Sequence, residues 1–399
     1  MRSKELLRSL FLFVILFLGV NLYTLKIVSM SMLNVINFGL LIVYISSVFL
    51  LPLIGNSFKI RLKKGKYFFK YPVLGFITAS IVSAFISGIY MDQSLWESIE
   101  ISRFVFFYVL YFFLGSMDYS KKEIDFVVTI LGLVFVSVYL LGTLTKNSFI
   151  SATILIERGT VRISLPGLLF LIYAYFLHLS NFFKVKKLVS GLLSFLFLGC
   201  IFLTGTRSIL FPVLIFSILF ILRESKFTGF QLSILLFPIL IVFIFAFKGV
   251  IFGLIDNMLE LKTKKRSNIT VRQDAVGFFF KQLFPNSINY ILGNGMPGYS
   301  AYGRKISRFQ TFLGYYQSDI GVLADYLRFG LVYIFSILVV FFKVFKLKLE
   351  ENSQFIKYFF GFMLITSVTL SHFGNSTALI VVCVVLWRID SVRAYEGKT

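Results

Sequence analysis

The sequence predicts an all-α, polytopic integral membrane protein with about 12 transmembrane helices and one large outer loop. Of the 399 residues, 58% are hydrophobic and only 15% are charged. Soluble globular proteins have roughly 45–50% apolar and about 25% charged residues. The mean hydropathy of +0.87 agrees with a membrane protein. Twelve crossings of roughly 20 apolar residues each would occupy about 240 residues. The composition therefore excludes a soluble domain, a disordered protein and a disulfide-rich secreted scaffold.

Twelve apolar segments follow one another along the chain and predict the helices in order. The first is interpreted as a retained helix, because Leu25-Lys26-Ile27 after it offers no small-residue cleavage site for a signal peptidase. No internal repeat or linker divides the chain, so residues 1–399 are predicted to form a single membrane domain. The segments are 9–25, 31–53, 72–90, 102–117, 125–144, 163–180, 188–204, 208–222, 229–250, 320–342, 355–371 and 376–389.

The distribution of Lys and Arg predicts the orientation. If the N-terminus is cytoplasmic, the inner connections and termini hold twenty-three cationic residues, whereas the short outer connections hold six. Short cytoplasmic loops are enriched in Lys and Arg. Both termini are therefore predicted to be cytoplasmic. Most of the net charge of +22 is a topology signal, and nucleic acid is not needed to explain it.

Residues 251–319 form one long connection between the ninth and tenth segments, on the predicted outer face. Loops of this length are usually functional. Within it, Thr270–Phe284 predicts an amphipathic helix that Pro285 ends. A turn-rich stretch with Gly293 and Gly295 follows. The apolar positions of the predicted helix are Val271, Val276, Phe279, Phe280 and Leu283.

Cysteine, histidine and nucleotide-binding patterns indicate no disulfide, metal site or other cofactor. Cys200 and Cys383 lie far apart in apolar segments, which predicts neither a disulfide framework nor a metal site. The chain has no phosphate-binding GxxxxGK[ST] loop, no Asp-x-Asp pair or His cluster that suggests a metal, and no Gly-x-Ser-x-Gly nucleophile elbow. We therefore expect no metal and no other cofactor.

Ionisable residues at the outer helix ends are the candidate site residues, because such groups are costly in a membrane and by default mark function. An arginine fork matches two phosphate oxygens at once and stays charged. Several arginines on one side of a membrane therefore suit a pyrophosphate carried by a lipid. The candidates are Arg158, Arg162, Arg207, Arg272, Asp274 and Asp319, with His372 as a further possible base.

Structural alternatives stand beside this interpretation. An arginine at the interface can be a snorkelling anchor, although the very short turn before Arg207 makes a cation there hard to explain by topology. Asp325 with Arg328, and Glu100 with Arg103, are spaced i, i+3, a spacing that predicts mutual neutralisation.

Four motifs in this order resemble those of the O-antigen polymerase and O-antigen ligase superfamily of bacterial envelopes (Wzy-type polymerases and WaaL-type ligases). The first is Arg162-Ile-Ser-Leu-Pro-Gly167, which would open a helix. The second is Leu203-Thr-Gly-Thr-Arg-Ser208, similar to the family's Thr-Gly-Ser-Arg-Gly turn. The third is Arg272 on its loop helix with Ile291-Leu-Gly-Asn-Gly-Met-Pro-Gly-Tyr299. The fourth is Ser318-Asp-Ile-Gly321, followed by Phe329-Gly330.

The resemblance implies a metal-independent glycosyltransferase in a bacterial inner membrane. It would join repeat units that are carried on undecaprenyl pyrophosphate, either those of O-antigen, which is the glycan of lipopolysaccharide, or those of capsule. Arg162, Arg207 and Arg272 would hold the pyrophosphate, and Asp319 would take the acceptor's proton. Family ligases place a His where this chain has Ser318 and Asp319, which favours a polymerase. An O-antigen ligase and a lipid-linked glycan flippase stay open as alternatives. The implied partners are the lipid-linked glycan, membrane lipid and, in the same pathway, a chain-length regulator and a flippase. The further substrate-binding candidates are Arg158, Asp274, Gly293, Gly295, Tyr299 and His372.

Overall fold

A computed structural model describes residues 3–21, 30–54, 67–145, 153–157, 160–164, 166–224 and 268–396. This part of the chain is helical apart from one two-stranded hairpin, so the all-α class needs that single correction. Short 3-10 turns at Arg103–Tyr108, Gln317–Ile320 and Glu351–Ser353 precede α5, α13 and α14 as numbered here. The elements are α1 (Ser3–Gly19), α2 (Met30–Ile54), α3 (Lys70–Tyr90), α4 (Leu95–Ser102), α5 (Val109–Ser116), α6 (Lys121–Thr145), β1 (Thr153–Glu157), β2 (Thr160–Ser164), α7 (Leu168–Val185), α8 (Leu188–Leu203), α9 (Arg207–Glu224), α10 (Asn268–Gln282), α11 (Ser287–Leu292), α12 (Ala301–Leu313), α13 (Val322–Lys346), α14 (Phe355–Thr366) and α15 (Ser376–Glu396).

Five helical stretches are long and apolar enough to cross a membrane, by length and composition. Eleven of the twelve apolar segments overlap described helices, whereas 229–250 and the loop residues 251–267 lie outside the described residues. The predicted helical architecture with apolar helices of membrane-spanning length is thereby confirmed, and the number of twelve crossings stays a prediction. The five stretches are Lys70–Tyr90, Leu95–Ser116, Lys121–Thr145, Leu168–Val185 and Val322–Lys346.

Two helices lie at the centre of the bundle. Every residue of α7 from Leu169 to Ser180 is buried, and α15 is buried continuously from Leu379 to Val392. A helix that is apolar on all sides belongs in the interior. The outer helices instead expose an apolar stripe, such as Phe335 and Phe342 on α13, which suits contact with lipid. Cys200 and Cys383 are both buried and unbonded to one another.

The hairpin changes the start of the sixth apolar segment. β1 and β2 pair antiparallel, with Leu155 opposite Arg162. Arg162 therefore lies on a strand, and the prediction that it opens a helix is wrong. α7 begins only at Leu168, after Gly167 in a left-handed conformation (φ 90°). The physical reason is local, because Thr160, Val161 and Ile163 are β-branched and favour extended backbone.

One end of the bundle is tied together by ion pairs, and we call it the ion-paired end. Arg8 contacts Glu123 at 3.2 Å, Lys121 contacts Glu350 at 3.1 Å, and Lys184 contacts Glu224 at 2.8 Å. Arg388 is fully buried and meets both carboxylate oxygens of Asp125, at 2.5 and 3.0 Å. These residues lie at helix ends that the charge distribution predicts to be cytoplasmic.

The opposite end is built from α10–α12, the start of α13, the connection between α3 and α4, and residues 367–375. We call it the loop end. α3 and α13 run antiparallel between the two ends. Lys343 of α13 donates to the Phe68 carbonyl at the ion-paired end at 2.7 Å, whereas the Gly295 region contacts Ser83 and Ser87 of α3 at the loop end.

Candidate functional site

A break in α13 positions the candidate site. Gly330 has φ 76° and ψ −168°, so the helix is interrupted between its two halves. The interruption removes the usual i+4 donors of the carbonyls just before it. The N–H of Asn294 donates to the Leu327 carbonyl at 2.9 Å, and the N–H of Gly295 donates to the Arg328 carbonyl at 2.8 Å. The turn-rich loop stretch thus supplies the hydrogen bonds that the helix lacks, as buried backbone groups require.

Glycine is required on both sides of this crossing. Gly293 has φ 80°, and a Cβ there would lie 2.5 Å from the Arg328 carbonyl oxygen. A Cβ at Gly330 would lie 2.3 Å from the Ile291 carbonyl oxygen. Both contacts are with backbone, which cannot swing away as a side chain can. The predicted site residues Gly293 and Gly295 therefore hold the loop against the helix break.

Asp325 lies one turn before the break and is 1% exposed. Its Oδ1 accepts a hydrogen bond from Ser371 Oγ at 2.6 Å. Gly374 approaches the same oxygen so closely that a Cβ there would lie 2.1 Å from it. The other carboxylate oxygen, Oδ2, is buried without a hydrogen-bond partner. A buried carboxylate with one free oxygen is a candidate proton acceptor.

Arg328 follows Asp325 by three residues, yet the two do not form an ion pair. Arg328 Nε donates to Gln317 Oε1 at 3.3 Å, and no hydrogen bond joins its two terminal nitrogens to a described residue. Tertiary partners, Ser371 for the acid and Gln317 for the arginine, replace the expected i, i+3 contact. The other predicted pair is confirmed, because Glu100 and Arg103 lie 3.7 Å apart.

Three uncharged polar residues, Asn289, Asn294 and Gln317, lie around the helix break. Together with Asp325 and Arg328 they form what we call the polar cluster. Asn289 Nδ2 donates to Asn294 Oδ1 at 2.9 Å, and both side chains are fully buried. Asn289 Oδ1, Asn294 Nδ2 and Gln317 Nε2 are buried without partners. Buried polar atoms normally have partners, so this cluster holds donors and acceptors whose hydrogen-bonding capacity the described residues do not use.

The structure places Arg272, Asp274 and Asp319 at the same end. Arg272 is half-buried on α10 and has no ion pair with a described residue, and Asp274 is exposed. Asp319 is half-buried in the turn before α13, where Ser318 Oγ donates to its Oδ1 at 3.3 Å. The predicted loop helix Thr270–Phe284 is confirmed as α10, and Phe279 and Leu283 bury its apolar face.

The turn before Arg207 is as short as predicted. α8 ends at Leu203, Gly205 is left-handed at φ 64°, and Arg207 is the first residue of α9. The side chains of Arg207 and Arg162, and the whole of Arg158, lie outside the described residues.

Tyr299 and the glycine stretch are held by the connection between α3 and α4. Glu97 accepts hydrogen bonds from the backbone N–H groups of Tyr299 and Ser300, the latter at 2.8 Å. Gln93 accepts from the Gly298 N–H at 2.8 Å and donates to the Met296 carbonyl at 2.9 Å. The aromatic ring of Tyr299 stays exposed at the surface of the loop end.

His372 lies behind the cluster rather than at its surface. It is 6% exposed, and its Nε2 lies 2.6 Å from Thr366 Oγ1. Burial lowers the pKa of His372 to about 4, so the imidazole is neutral at pH 7. The backbone carbonyl of the next residue, Phe373, accepts hydrogen bonds from the hydroxyls of Tyr108 at 2.9 Å and Tyr333 at 2.6 Å. His372 is thus part of the structure that positions Ser371 against Asp325.

Among the described residues, no three His, Cys, Asp or Glu side chains are grouped as metal ligands would be. No protein-family model matches the chain, and no curated protein matches it significantly. The functional assignment therefore depends on the residues themselves. Sequence reasoning named Asp325 and Arg328 only as a neutral pair and did not identify Asn294, Gln317 or Ser371. The glycine-rich run around Asn294 and the Gly in Phe329-Gly330 were the available signals.

Proposed function

We propose that the protein is a polysaccharide polymerase that joins repeat units carried on undecaprenyl pyrophosphate at the loop end. The observation that supports this most is that Arg328, with no ion pair, lies one turn from a buried carboxylate with a free oxygen. The half-buried Arg272 adds a second cation without an ion pair at the same end. Arginines of this kind suit the two phosphates of a lipid carrier.

In the proposed reaction, a hydroxyl of the incoming lipid-linked unit attacks the anomeric carbon of the growing glycan. A new C–O bond forms, the bond between that carbon and the pyrophosphate oxygen breaks, and undecaprenyl pyrophosphate leaves with the electron pair. The acceptor's proton goes to a carboxylate. Arginine forks stabilise the negative charge that develops on the leaving group, which is the usual source of the largest rate contribution.

Two carboxylates are candidates for the base. Asp319 is the sequence-based hypothesis, and it is half-buried with a local Ser318 contact. Asp325 is more buried, and Ser371 fixes its orientation. We favour Asp325 as the base because its free oxygen lies in the polar cluster with Arg328. Asp319, in the turn before the same helix, would then contact the acceptor sugar.

A lipid-linked glycan flippase is the second candidate, and the broken helix favours it. Transporters often bind substrate where a transmembrane helix is interrupted near the membrane midplane. Gly330 lies about 12 Å along the axis from the start of α13, whereas the middle of this 25-residue helix lies about 19 Å from it. Asp325 and Arg328 are nearer still to the loop end. This position, nearer to one face of the membrane than to its middle, favours an enzyme site over a transport site.

The test uses Arg207, because a cation in so short a turn has no topological reason. Arg207→Lys should fail almost as badly as Arg207→Ala, since a point charge cannot reproduce a bidentate fork. Loss of such a contact should cost about 2–4 kcal/mol of transition-state stabilisation, or roughly 10²–10³ in rate. Arg223→Lys, at the exposed far end of the same helix α9, is the matched control and should keep full activity.

The measurement is polymer length on a gel from cells that contain each variant at equal membrane abundance. Single repeat units with Arg207→Lys, and long chains with Arg223→Lys, are the expected result. Long chains with Arg207→Lys would make Arg207 a snorkelling anchor. If the protein is a flippase, the defective variant would instead leave repeat units on the cytoplasmic face. An assay of the accessibility of these units to added lectin distinguishes this outcome.

A further inference from the structure

The helix α12 has a surface that the proposed reaction does not use. Tyr302 and Ile306 are buried, whereas Arg304, Lys305 and Arg308 are all exposed. Arg304 and Arg308 are separated by four residues, so they project from the same side of the helix. Lys305 Nζ donates to the Gln282 carbonyl of α10 at 3.1 Å. Arg304 and Arg308 therefore form a basic face directed away from the protein, with Lys305 at its edge.

This basic face has no acidic residue to balance it. The sequence contains no Asp or Glu between Asp274 and Asp319. A helix that faces water on its exposed side normally carries charges of both signs. An unmixed basic face is instead complementary to an anionic surface.

Exposed apolar residues continue the same helix. Phe312 is 81% exposed, and Leu313 and Tyr316 are also exposed around the C-terminal turn, which Gly314 ends in a left-handed conformation. Phe312 lies four residues after Arg308, and therefore on the basic side. Basic residues combined with exposed aromatic and aliphatic residues are typical of helices that lie in a membrane interface.

The packing of α12 sets its depth. Its buried residues Tyr302 and Ile306 share one apolar cluster with Ala324 and Leu327. Those two residues belong to the first two turns of α13, a helix long and apolar enough to cross a membrane. α12 is thus held level with the end of a membrane-spanning segment, where phospholipid headgroups lie.

The geometry points to α12 as an interfacial helix whose Arg304 and Arg308, with Lys305 at the edge of the basic face, bind anionic phospholipid headgroups while Phe312 enters the acyl boundary. Whatever reaction the protein catalyses, this contact would fix the height of the loop end above the bilayer. Near an anionic membrane each basic residue contributes about fivefold to binding.

The experiment places a fluorescent bimane on Phe312→Cys in reconstituted vesicles. Because Cys200 and Cys383 are buried, the introduced thiol is the accessible one. The vesicles contain nitroxide-labelled phosphatidylglycerol or, at the same mole fraction, nitroxide-labelled phosphatidylcholine. Phe335→Cys, on the exposed stripe of α13, serves as the lipid reference, and Lys122→Cys, exposed at the ion-paired end, serves as the water reference.

We expect both nitroxide lipids to quench the label on Phe312→Cys, and the phosphatidylglycerol form to quench it several-fold more strongly. Replacing Arg304, Lys305 and Arg308 with Gln should bring the ratio of the two close to one. The control variant replaces the exposed Lys122, Lys187 and Lys348 with Gln, removes the same charge from the ion-paired end, and should leave the ratio unchanged. An unchanged size-exclusion profile shows that each variant is folded.

Two outcomes would overturn the assignment. If aqueous iodide quenches the Phe312→Cys label and neither lipid does, α12 faces water. If both lipids quench it equally in the otherwise unaltered protein, the basic face does not recognise anionic headgroups.

Discussion

The two ends of the bundle treat their charges in opposite ways. At the ion-paired end, Arg8, Lys121, Lys184 and Arg388 each contact a carboxylate at 3.2 Å or less. At the loop end, the described cations of α10 and α12, and Arg328 of α13, form no ion pair with a described residue. The acids at this end accept hydrogen bonds from uncharged groups instead. Glu97 accepts hydrogen bonds from backbone N–H groups, and Asp325 accepts one from a serine hydroxyl.

This difference separates charges that hold the fold from charges that are free to act. In a pair such as Arg388 with Asp125 the two charges neutralise each other, so neither side chain is available to bind a ligand. Arg328 and Arg272 form no such pair with a described residue. The architecture of the loop end depends instead on backbone crossings at glycine and on uncharged hydrogen bonds. Ion pairing, rather than the number of cations, is thus the useful criterion for a functional arginine in this protein.

The largest expected effect is at the ion-paired end. Arg388→Ala would leave the Asp125 carboxylate without the cation that approaches it from a fully buried position. Removing one partner of a buried pair typically costs about 3–5 kcal/mol. We expect a large drop in the apparent melting temperature of the detergent-purified protein.

Replacing both partners, as Arg388→Met with Asp125→Leu, should recover much of that loss, because no uncompensated charge remains. Lys121→Ala, which breaks a more exposed pair, should cost less than about 1 kcal/mol. Equal losses for Arg388→Ala and Lys121→Ala would contradict the view that the buried pair holds this end together.

The sequence was sufficient for features that depend on neighbouring residues. Apolar segments predicted helices such as α6, expected at 125–144 and found at Lys121–Thr145. The short turn before Arg207 and the loop helix α10 also follow from local signals. Glu100 and Arg103 pair as their spacing suggests, since no tertiary partner displaces that contact.

Features that depend on distant parts of the chain were missed. Asp325 and Arg328 have the same spacing as Glu100 and Arg103, but Ser371 and Gln317 compete for them. The break at Gly330 exists because the stretch at Gly293 and Gly295 crosses the helix there. A single Gly in an apolar helix does not predict such a crossing. The hairpin around Arg162 was missed because helical periodicity was extended into a β-branched run.

A second, comparable effect concerns pH and the loop end. Burial lowers the pKa of His372 from 6.5 to about 4. Between these values the unfolded chain binds a proton that the folded protein does not, so stability falls as the pH decreases through this window. The full difference corresponds to about 3 kcal/mol.

The measurement for His372 is apparent melting temperature from pH 7 to pH 4. His372→Gln should flatten the acid side of the curve, although it also loses the Thr366 contact and lowers stability at pH 7. An acid limb of unchanged slope in His372→Gln would assign the pH dependence to carboxylates instead, and would remove His372 from the account of the loop end.

The smallest effect sharpens the comparison most, because it tests whether backbone geometry does at the loop end what ion pairs do at the other. Gly330→Ala forces a side chain onto φ 76° and places its Cβ 2.3 Å from the Ile291 carbonyl oxygen. A strained backbone position costs about 1–3 kcal/mol. Gly199→Ala, where a Cβ on α8 meets nothing within 4 Å, is the matched control and should be neutral or stabilising by up to about 1 kcal/mol. The apparent melting temperature should therefore fall for Gly330→Ala alone.

Because the crossing also positions Asp325 and Arg328, Gly330→Ala should shorten the polymer more than its loss of stability explains, at equal membrane abundance. A Gly330→Ala protein as stable as Gly199→Ala would mean that the helix break can close without disturbing the loop, and that glycine geometry does not hold this end of the bundle.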